Sequence, residues 1–596
     1  MNLIVLYCAI CDIIYMELIH MYITIGKTKN KEFIYINQSF RTKDKTTTKI
    51  FKKLGTMEEL LPLHNNDRDQ VINWAKEQAR IATENYNKEN EIVNLTLRPN
   101  LLIKKNEQNS FNCGYLFLQS ICRDLRLDNI CRNIKNRHDY EYNLLAILQD
   151  FIYTRILHPA SKKNSYEFAQ TLLEQPKYEL HQVYRALSVL AQENDYIQSE
   201  LYRNSHFVHN RNTKVLYYDC TNYFFEIEEA DDLRKYGKGK DNKPNPIVGM
   251  GLFMDADGVP LAFDIYPGNQ NEQLTMKPLE EKVIRDFECA QFISCTDAGL
   301  ASKKNKMMNH VGGRNFVVTQ SLKKLKEKER EIALNPTQFR KVGGYKFVDI
   351  SKLDESDPEV YETVYYKEIP LDDSKMDETL IVTYSPKYKA YQRNIRQQQL
   401  ERAKQLIEKK DKLKKERRNP HDPARFVKKT SVTEHGEVAD KDFYELDADF
   451  IQKEEMYDGF YAVTTDLDCD VAEIIKINKQ RWQIEECFRI MKTDFEARPV
   501  YLQREDRIKS HFLICFLALL VYRLLENKLN KEYTVSEITN TLRLMEVTKV
   551  EEYGYIPSYK RTELTDKLHE LFGFRTDTQI IRKSKMRSII KQSKEK

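Results

Sequence analysis

The sequence predicts an α/β protein built around a mixed β-sheet, and three observations lead to this fold class. The chain has 596 residues, several times the ~100 to 200 residues of one domain, and 41% of them are hydrophobic, which is enough to fill several cores. Between 206 and 322, β-type apolar runs alternate with stretches of helical periodicity. Helical periodicity prevails before this region and again after about 465.

The N-terminal part predicts an uncertain leader and a small domain. Residues 1–24 are apolar, but no Lys or Arg precedes the apolar part and it is interrupted by Asp12, Glu17 and His20, which argues against a secretory leader. Met21 opens a strand-like run, and one hypothesis is that translation begins there. Residues 25–105 mix short strands with a helical stretch over 68–87, which predicts an α+β domain.

The next two segments predict a helical domain and then the sheet. Residues 106–205 carry apolar residues at helical spacing. Residues 206–322 hold three consecutive strand candidates, then a helix, a strand, a helix and a further strand, with the strands at 215–225, 247–254, 261–266, 292–296 and 315–319. Hairpin-connected strands followed by crossover units predict a mixed sheet covered by helices. This order is the one expected of an RNase H-like fold.

The sheet region is interrupted and later resumes. Residues 323–455 predict a β-rich insertion, with strand candidates at 345–350, 360–369 and 380–384 and a basic helical run over 394–418. The core continues over 456–530 with a strand at 459–465 and one long helix from 471 to about 495. Residues 531–596 predict a helical basic tail.

The distribution of charge is more informative than its sum. The formal net charge of +5 is too small over this length to indicate a polyanionic partner. Local runs are basic: 401–430 holds twelve Lys or Arg against five Asp or Glu, 321–341 holds seven basic residues, and 575–596 holds eight against two acidic residues. Such runs supply phosphate-binding charge, although a solvated helix face is the common alternative for any one of them.

Two aspartates occupy unusual positions at strands of the predicted sheet. Asp219 lies inside the apolar strand 215–225, where a charge is costly to bury, and Asp297 ends the strand 292–296 just before a glycine. The alternatives are a hydrogen-bonded turn or edge position for Asp219 and a helix N-cap for Asp297. Ligands of open α/β sheets bind at the carboxyl ends of strands, where Gly299 permits a sharp turn.

A third carboxylate lies on the helix predicted from 471 to 495. At ~100° per residue, Arg481, Glu485 and Lys492 fall within about 40° of one another, whereas Glu486 points roughly 140° away from Arg481. The face therefore selects Glu485 over its neighbour. The alternative is an ordinary ladder of i,i+4 ion pairs on an exposed helix.

Together these residues resemble the DDE transposases of bacterial insertion sequences, in the subgroup with a Tyr-Arg-Glu-Lys signature and a β-rich insertion. The resemblance covers about 206 to 525, with 77 residues between Asp219 and Asp297 and 187 between Asp297 and Glu485. It also rests on phrases typical of these enzymes, namely 248–252, 267–269, 296–299 and 457–460. The sequence departs from the family at Asn478, three positions before Arg481, where the family carries Tyr.

The resemblance implies a catalytic site of Asp219, Asp297 and Glu485, which would also be the metal ligands. Phosphodiester chemistry needs hard divalent cations that prefer oxygen ligands, and three carboxylates can hold two Mg²⁺ or Mn²⁺ ions ~4 Å apart. Arg481 and Lys492 are the expected DNA contacts, and the loop between the first two strands adds Lys238 and Lys240. The sequence contains no Cys-His zinc set, Walker loop or dinucleotide-binding glycine loop to compete with this assignment.

The leading hypothesis is a transposase that binds terminal inverted repeats, cleaves donor DNA and joins the 3′ ends to a target. An RNase H-like nuclease without strand transfer and a catalytically inactive DNA-binding descendant stay open as alternatives. The expected partners are double-stranded DNA and a second copy of the chain on paired ends, in the bacterial cytoplasm and at the nucleoid. No membrane role is expected, because the apolar run 512–522 is shorter than the ~20 residues of a bilayer crossing.

Overall fold

The computed structural model divides the chain into two compact units, Met1–Glu107 and Gln108–Lys596. It describes residues 21–28, 31–42, 45–89, 93, 95, 99–241, 243–300, 302–371, 376–409, 422–432 and 441–595. Residues 1–20 of the predicted leader and residues 410–421 of the predicted basic run therefore lie outside the described residues.

The N-terminal unit is a three-stranded antiparallel sheet accompanied by helices. Its strands follow the order β1-β2-β3, and its elements are β1 Met21–Lys27, β2 Glu32–Thr42, β3 Lys45–Thr56, α1 Met57–Leu60 and α2 Arg68–Glu89. A capping box begins α1, because Thr56 and Glu59 each accept the other's backbone N–H. The core contains Ile34, Val71 and Ala75, none of which has exposed surface. The long helix begins at Arg68, as its periodicity predicts.

The larger unit opens with a short strand and six helices. These elements are β4 Ser110–Asn112, α3 Tyr115–Asp124, α4 Leu127–Lys135, α5 Leu144–Leu157, α6 Lys162–Ala169, α7 Leu180–Gln192 and α8 Asn194–Ser205. Side-chain oxygens of Asn143 and Ser161 accept backbone N–H groups and begin α5 and α6. Eleven residues of α5 are buried, so this helix is apolar around most of its circumference and lies inside the bundle.

The centre of the larger unit is the predicted mixed sheet. Its first strands are β5 Val215–Phe224, β6 Ile247–Met254, β7 Pro260–Pro267, β8 Ile293–Thr296 and β9 Asn315–Thr319, and the crossover helices are α9 Met276–Asp286 and α10 Lys303–Val311. Strands β5, β6 and β7 form an antiparallel meander, whereas β5, β8 and β9 run parallel. The α/β fold class and the strand order expected of an RNase H-like core are thereby confirmed.

The β-rich insertion extends this sheet. Its elements are α11 Glu327–Leu334, β10 Phe339–Lys341, β11 Phe347–Val348, α12 Pro358–Glu362, β12 Tyr365–Leu371, β13 Glu378–Tyr384, α13 Pro386–Glu408, β14 Val427–Val432, β15 Lys441–Leu446 and α14 Ala448–Glu455. The next strand, β16 Phe460–Thr465, pairs with β13 on one side and β9 on the other. The ten-stranded sheet consequently has the order β11-β10-β12-β13-β16-β9-β8-β5-β6-β7.

The helix predicted from 471 to 495 is broken. The structure has α15 Val471–Gln480, α16 Trp482–Arg489 and a π-helical turn Ile490–Asp494, so the expectation of one regular helix is wrong. The following helix, α17 Glu505–Lys528, is buried along most of its length. It is the one helix among the described residues that is long and apolar enough to cross a membrane, and 94% of its apolar window is buried inside the fold.

The C-terminal segment contains strands that the sequence analysis did not predict. Its elements are α18 Val535–Leu544, β17 Glu546–Val550, β18 Gly554–Pro557, α19 Glu563–Phe572, β19 Ile581–Arg582 and α20 Lys583–Lys594. Strand β17 pairs with β4, which lies more than 400 residues earlier in the chain. The helix α20 packs near α3, where Ser593 Oγ donates to Gln119 Oε1 at 2.6 Å. The pairing of β17 with β4 could not be predicted from local sequence, because both strands are short and lie far apart in the chain.

Candidate active site

The two aspartates lie opposite each other at one edge of the sheet. In the parallel pair β5 and β8, Val215 pairs with Ile293 and Tyr217 with Cys295, an offset of 78 positions. Asp219 and Asp297 have the same offset and follow two residues later, so they continue this register on the same face. The parallel pairing thus sets Asp219, in the middle of β5, beside Asp297, which directly follows the carboxyl end of β8.

Asp219 is held in a largely buried environment. Its side chain lies in a strand whose ten residues are all buried, and its Oδ1 accepts the Cys220 backbone N–H at 2.7 Å. Burial raises the pKa of Asp219 to about 6, an effect that Asp297 reinforces and that Lys240 and Arg481 oppose. The strand register makes the two carboxylates neighbours of like charge, in agreement with this effect of Asp297 on the pKa of Asp219.

Asp297 is fixed by the turn that follows β8. Its Oδ1 accepts the backbone N–H groups of Gly299 at 2.9 Å and Leu300 at 3.2 Å. A Cβ atom at Gly299 would lie 3.1 Å from that same oxygen, so glycine leaves room for the carboxylate. Asp297 therefore closes a turn before α10, and its second oxygen is not used in this turn.

The break between α15 and α16 is anchored to the strand that carries Asp219. Tyr217 is fully buried, and its hydroxyl lies 3.0 Å from the Ile477 carbonyl and 3.1 Å from Gln480 Oε1. These contacts attach the end of α15 to β5, two residues before Asp219. On the other side of the break, Ile484 and Cys487 are buried and seat α16 against the core.

Arg481 lies at this break among the carboxylates. Its Nη2 is 3.1 Å from Glu485 Oε1, and Glu485 is otherwise exposed. Burial alone would lower the pKa of Arg481, but Glu485, Tyr461, Asp219 and Asp297 raise it above its usual value. The guanidinium therefore interacts with all three carboxylates that the sequence predicts as the site.

Glu486 faces a different part of the protein. Its Oε2 lies 2.9 Å from Arg523 Nη2 on α17, and Arg523 also pairs with Glu526 at 2.6 Å. The side chain of Arg523 is only 3% exposed, so these contacts compensate a buried charge. The two neighbouring glutamates thus have separate environments, one at the candidate site and one in the helical core.

The predicted lysines lie around the same edge. Lys492 lies with its Nζ 5.4 Å from the Tyr223 ring centroid, and burial lowers its pKa to about 8 while Asp241 and Asp219 oppose that shift. Lys240 donates from Nζ to the Cys220 carbonyl and from its backbone N–H to Asn222 Oδ1. Lys238 is exposed in the same loop.

Asn478 takes part in a polar network with two strands. Its Nδ2 lies 3.2 Å from the Tyr461 hydroxyl, and its Oδ1 lies 3.3 Å from Thr319 Oγ1. The Tyr461 hydroxyl oxygen and Thr319 Oγ1 lie 2.8 Å apart. A tyrosine hydroxyl of β16 thus lies beside Asn478, and this tyrosine also interacts electrostatically with Arg481.

The donor set fits hard divalent cations in its chemistry and only partly in its arrangement. Asp219, Asp297 and Glu485 offer oxygen ligands, and the like charges of the two aspartates would be relieved by a cation. Glu485, however, pairs with Arg481. In the part of the chain that the structure describes, no three His, Cys, Asp or Glu side chains are close enough to hold an ion.

Sequence reasoning missed three residues around this site. Tyr461 lies in the strand after the insertion, and Arg498 pairs with Asp241 beside Lys492. The only signal in the sequence for Arg498 and Asp241 was their charge within the region that resembles the transposase family. Their pairing joins positions that are 257 residues apart. The assigned roles of the site residues stay predictions.

Known proteins resemble the chain in the region that carries this site. Residues 224–521 match the family model described as the transposase DDE domain, a range that includes Asp297 and Glu485 and begins just after Asp219. A similar solved structure is the cryo-EM structure of a piggyBac transposase synaptic complex with hairpin DNA. The identity is 9%, the match covers 83% of this chain and 86% of that chain, and the TM-score is 0.34. No curated protein matches the sequence.

Proposed function

Because the chain belongs to the transposase DDE domain family, we propose that it mobilises an insertion sequence. In this proposal it binds the terminal inverted repeats, cleaves the donor DNA and joins the 3′ ends to target DNA. The observation that carries it is the register that sets Asp219 of β5 beside Asp297 at the end of β8, with Arg481 and Glu485 at the helix break beside them.

Asp219, Asp297 and Glu485 are the proposed catalytic residues and would hold two Mg²⁺ or Mn²⁺ ions. When bound, such ions activate an attacking water or 3′-hydroxyl and stabilise the leaving oxygen. The protein's own contribution is positional. The strands fix the two aspartates, the Tyr217 hydroxyl fixes the end of α15, and Glu485 becomes available once its pairing with Arg481 is exchanged.

The positive groups around the site are the proposed grip on the DNA backbone. Arg481 can bind a phosphate bidentately, and Lys492, Lys240 and Lys238 offer point charges along the same edge. The Tyr461 hydroxyl is placed to add a phosphate contact that the family resemblance assigns to the position of Asn478.

A cleft beside α15 supports a path for DNA leading to the site. It has a volume of about 800 Å³ and is lined by Lys341, Lys476, Lys479 and Trp482, among others. Trp482 directly follows Arg481 and is 58% exposed, which makes its ring available for stacking. Basic side chains combined with an exposed aromatic ring are typical of grooves that bind nucleic acid.

We further propose that two copies act together on paired ends, and that the protein works in the bacterial cytoplasm at the nucleoid. Both statements rest on the family resemblance and on the need to bring two transposon ends to one target. Size-exclusion chromatography with light scattering, with and without end DNA, tests the first statement by measuring how many copies of the chain the complex contains. A single copy per synapsed pair of ends would contradict it.

The test uses DNA that carries the inverted repeats flanking this reading frame, with Mg²⁺. We expect wild type to cleave it and transfer its 3′ ends, and Asp219→Ala, Asp297→Ala and Glu485→Gln to bind it without cleaving. Glu486→Gln is the matched control, because its carboxylate pairs with Arg523 away from the site. It should retain cleavage and lose about 1 to 3 kcal/mol of folding stability.

The outcomes separate the proposal from its alternatives. Cleavage without strand transfer would indicate a nuclease, and binding without cleavage by wild type would indicate an inactive descendant. Cleavage retained by Asp219→Ala would overturn the assignment of the site.

A further inference from the structure

A second basic cavity lies in the helical part of the larger unit. It has a volume of about 530 Å³ and lies between the start of α6, the segment after the π-helical turn, and α17. The residues that matter for its chemistry are Arg155, Lys162, Tyr184, Glu496, Tyr501 and His511. Its size falls within the ~300 to 1,000 Å³ of sites that bind small molecules.

Lys162 is buried in the wall of this cavity without a hydrogen-bond partner. The residue is 5% exposed, and its Nζ atom makes no hydrogen bond within the described part of the chain. Its Nζ lies over the ring of Phe151, 5.1 Å from the ring centroid. Burial lowers the pKa of Lys162 to about 7, and the positive charge of Arg155 adds to this shift. Buried ammonium groups are usually paired, so this one lacks an expected anionic partner.

Arg155 adds a positive charge beside Lys162. It is 2% exposed and donates only to carbonyl oxygens, those of Ala160, Phe495 and Glu496. His511 is buried with its Nε2 2.9 Å from the Ala497 carbonyl, and burial holds its pKa well below its usual value, so this imidazole adds no charge. Among the described residues, none of Lys162, Arg155 and His511 forms an ion pair.

The backbone directs a further positive potential into the cavity. Lys162 is the first residue of α6, an eight-residue helix whose N-cap, Ser161, accepts only the Asn164 N–H. The N-terminus of a helix carries a partial positive charge of ~0.5 and free backbone N–H groups. Glu496, the acidic residue of the wall, is exposed. Among the residues that line the cavity, the basic groups therefore outnumber the single carboxylate of Glu496.

We propose that this cavity binds a phosphate group of the DNA backbone, an inference that rests on the function proposed above. Glu496, Pro499, Tyr501 and Leu502 of its wall follow Lys492, a proposed DNA contact, by four to ten residues along the chain. The mouth carries Tyr501, which is 70% exposed, and Tyr184, whose ring lies 5.1 Å from the Arg507 guanidinium carbon. These groups suit the sugar and base that flank a phosphodiester.

The experiment compares wild type with Lys162→Met, which keeps the volume and removes the charge. Lys135→Met is the matched control, because Lys135 is an exposed lysine of α4 outside the cavity. Melting temperature is measured against inorganic phosphate at constant ionic strength. Affinity for a duplex carrying the flanking inverted repeat is measured against salt by fluorescence anisotropy. Lys162→Arg serves as a second variant that retains the charge.

We expect phosphate to raise the melting temperature of wild type and Lys135→Met but not of Lys162→Met. Loss of one phosphate contact should reduce the slope of log K against log salt by about 0.9 in Lys162→Met, with no change in Lys135→Met. Lys162→Arg should keep most of the slope. The phosphate measurement on wild type needs no variant and therefore stands even if a substitution impairs folding.

Each contrary result identifies what has failed. A phosphate effect with an unchanged DNA slope would assign the cavity to free phosphate and overturn the DNA assignment. No phosphate effect and no change in slope would overturn the inference altogether, while wild-type cleavage of the duplex leaves the proposed function standing. If wild type binds no duplex at any salt concentration, the proposed function and the DNA assignment both fail.

Discussion

Arg481 balances the charges of the candidate site. Its guanidinium pairs with Glu485 and interacts with Asp219 and Asp297, so it compensates the carboxylates in the protein alone. A guanidinium in this position competes with a divalent cation for Glu485. On the proposed function, it would become free for a DNA phosphate when Glu485 has another partner. One side chain would then prevent charge repulsion before the reaction and hold the substrate during it.

Arg481→Ala should separate these two effects. We expect its affinity for Mn²⁺ in the absence of DNA to rise, because the competitor for Glu485 is removed, as isothermal titration calorimetry can measure. Its affinity for end DNA should fall, with a salt slope about one unit lower. Arg481→Lys should bind DNA less tightly than wild type despite equal charge, because lysine cannot grip a phosphate bidentately.

The matched control for this prediction is Arg489→Ala. Arg489 lies on the same helix, but its guanidinium pairs with Asp494 and Glu486. It should change neither Mn²⁺ affinity nor the salt slope. Equal behaviour of the two variants would mean that Arg481 belongs to an ordinary ion-pair ladder.

Asp150 gives the stability of the helical region a pH dependence. Burial raises the pKa of Asp150 to about 7, although the Tyr178 hydroxyl donates to its Oδ2 at 2.8 Å. Because this folded pKa exceeds the unfolded value, the folded state binds the proton more tightly. Stability should therefore fall as pH rises from about 4 to 7, by an upper limit of about 4 kcal/mol.

Asp150→Asn should remove that dependence, as melting temperatures across this pH range can show. The substitution cannot ionise and still offers an oxygen to Tyr178. Asp139→Asn is the control, because Asp139 is exposed and should leave the profile unchanged. A profile that keeps its slope in Asp150→Asn would assign the pH dependence to other groups.

At the scale of elements, strand β6 is constrained by close approach of a buried side chain. A Cβ atom at Gly251 would lie 2.4 Å from the Tyr218 hydroxyl oxygen. Tyr218 is 1% exposed, and its hydroxyl lies 2.7 Å from Thr275 Oγ1, so it has little freedom to move. Tyr218 also precedes Asp219, which explains how a glycine on a neighbouring strand affects the site.

Gly251→Ala should therefore destabilise the fold by about 1 to 3 kcal/mol, as overpacking does in other cores. Chemical denaturation of the two proteins measures the difference. Gly239→Ala is the control, because the atoms nearest its added Cβ would be 3.8 and 3.9 Å away. An equal loss in both variants would show that the backbone freedom of glycine, and not the contact with Tyr218, is responsible.

The elements differ in how far the sequence could predict them. Strands β5, β6 and β9 were predicted to within a residue because their apolar runs are continuous and bounded by turns. The start of α13 was predicted eight residues too late, because the signal of Ser385 followed by Pro386 at the first helical position was not used. The break at Arg481 carries no proline or glycine, so local propensity could not reveal it.

The candidate site followed a similar rule. Asp219 was noticed because a carboxylate conflicts with an apolar strand, and helical spacing favoured Glu485 over Glu486, but the prediction that they form one site came from the resemblance to the transposase family. Tyr461 and Arg498 could not be found in this way. Their positions depend on pairing between distant strands and loops, which no window of the sequence contains.

At the scale of the whole molecule, the two compact units give a prediction about removal of the first. A chain that begins at Gln108 retains every strand of the ten-stranded sheet and every residue of the candidate site. We expect it to fold cooperatively and to keep the main melting transition of the full chain, measured by circular dichroism. An aggregated or molten product would show that the larger unit depends on the first.

The place of β16 in the sheet also has a consequence for how the protein is made. This strand lies between β9 and β13, yet 140 residues separate it from β9, and Glu485 follows later still. At ~5 to 20 residues per second, a ribosome needs roughly 8 to 33 s to proceed from the end of β9 to Glu485. Throughout that interval the nascent chain carries both aspartates without Glu485, and until β16 is made the edge of β9 is unpaired. Interrupted synthesis should therefore leave fragments that are prone to aggregation and degradation and that lack the third carboxylate of the candidate site.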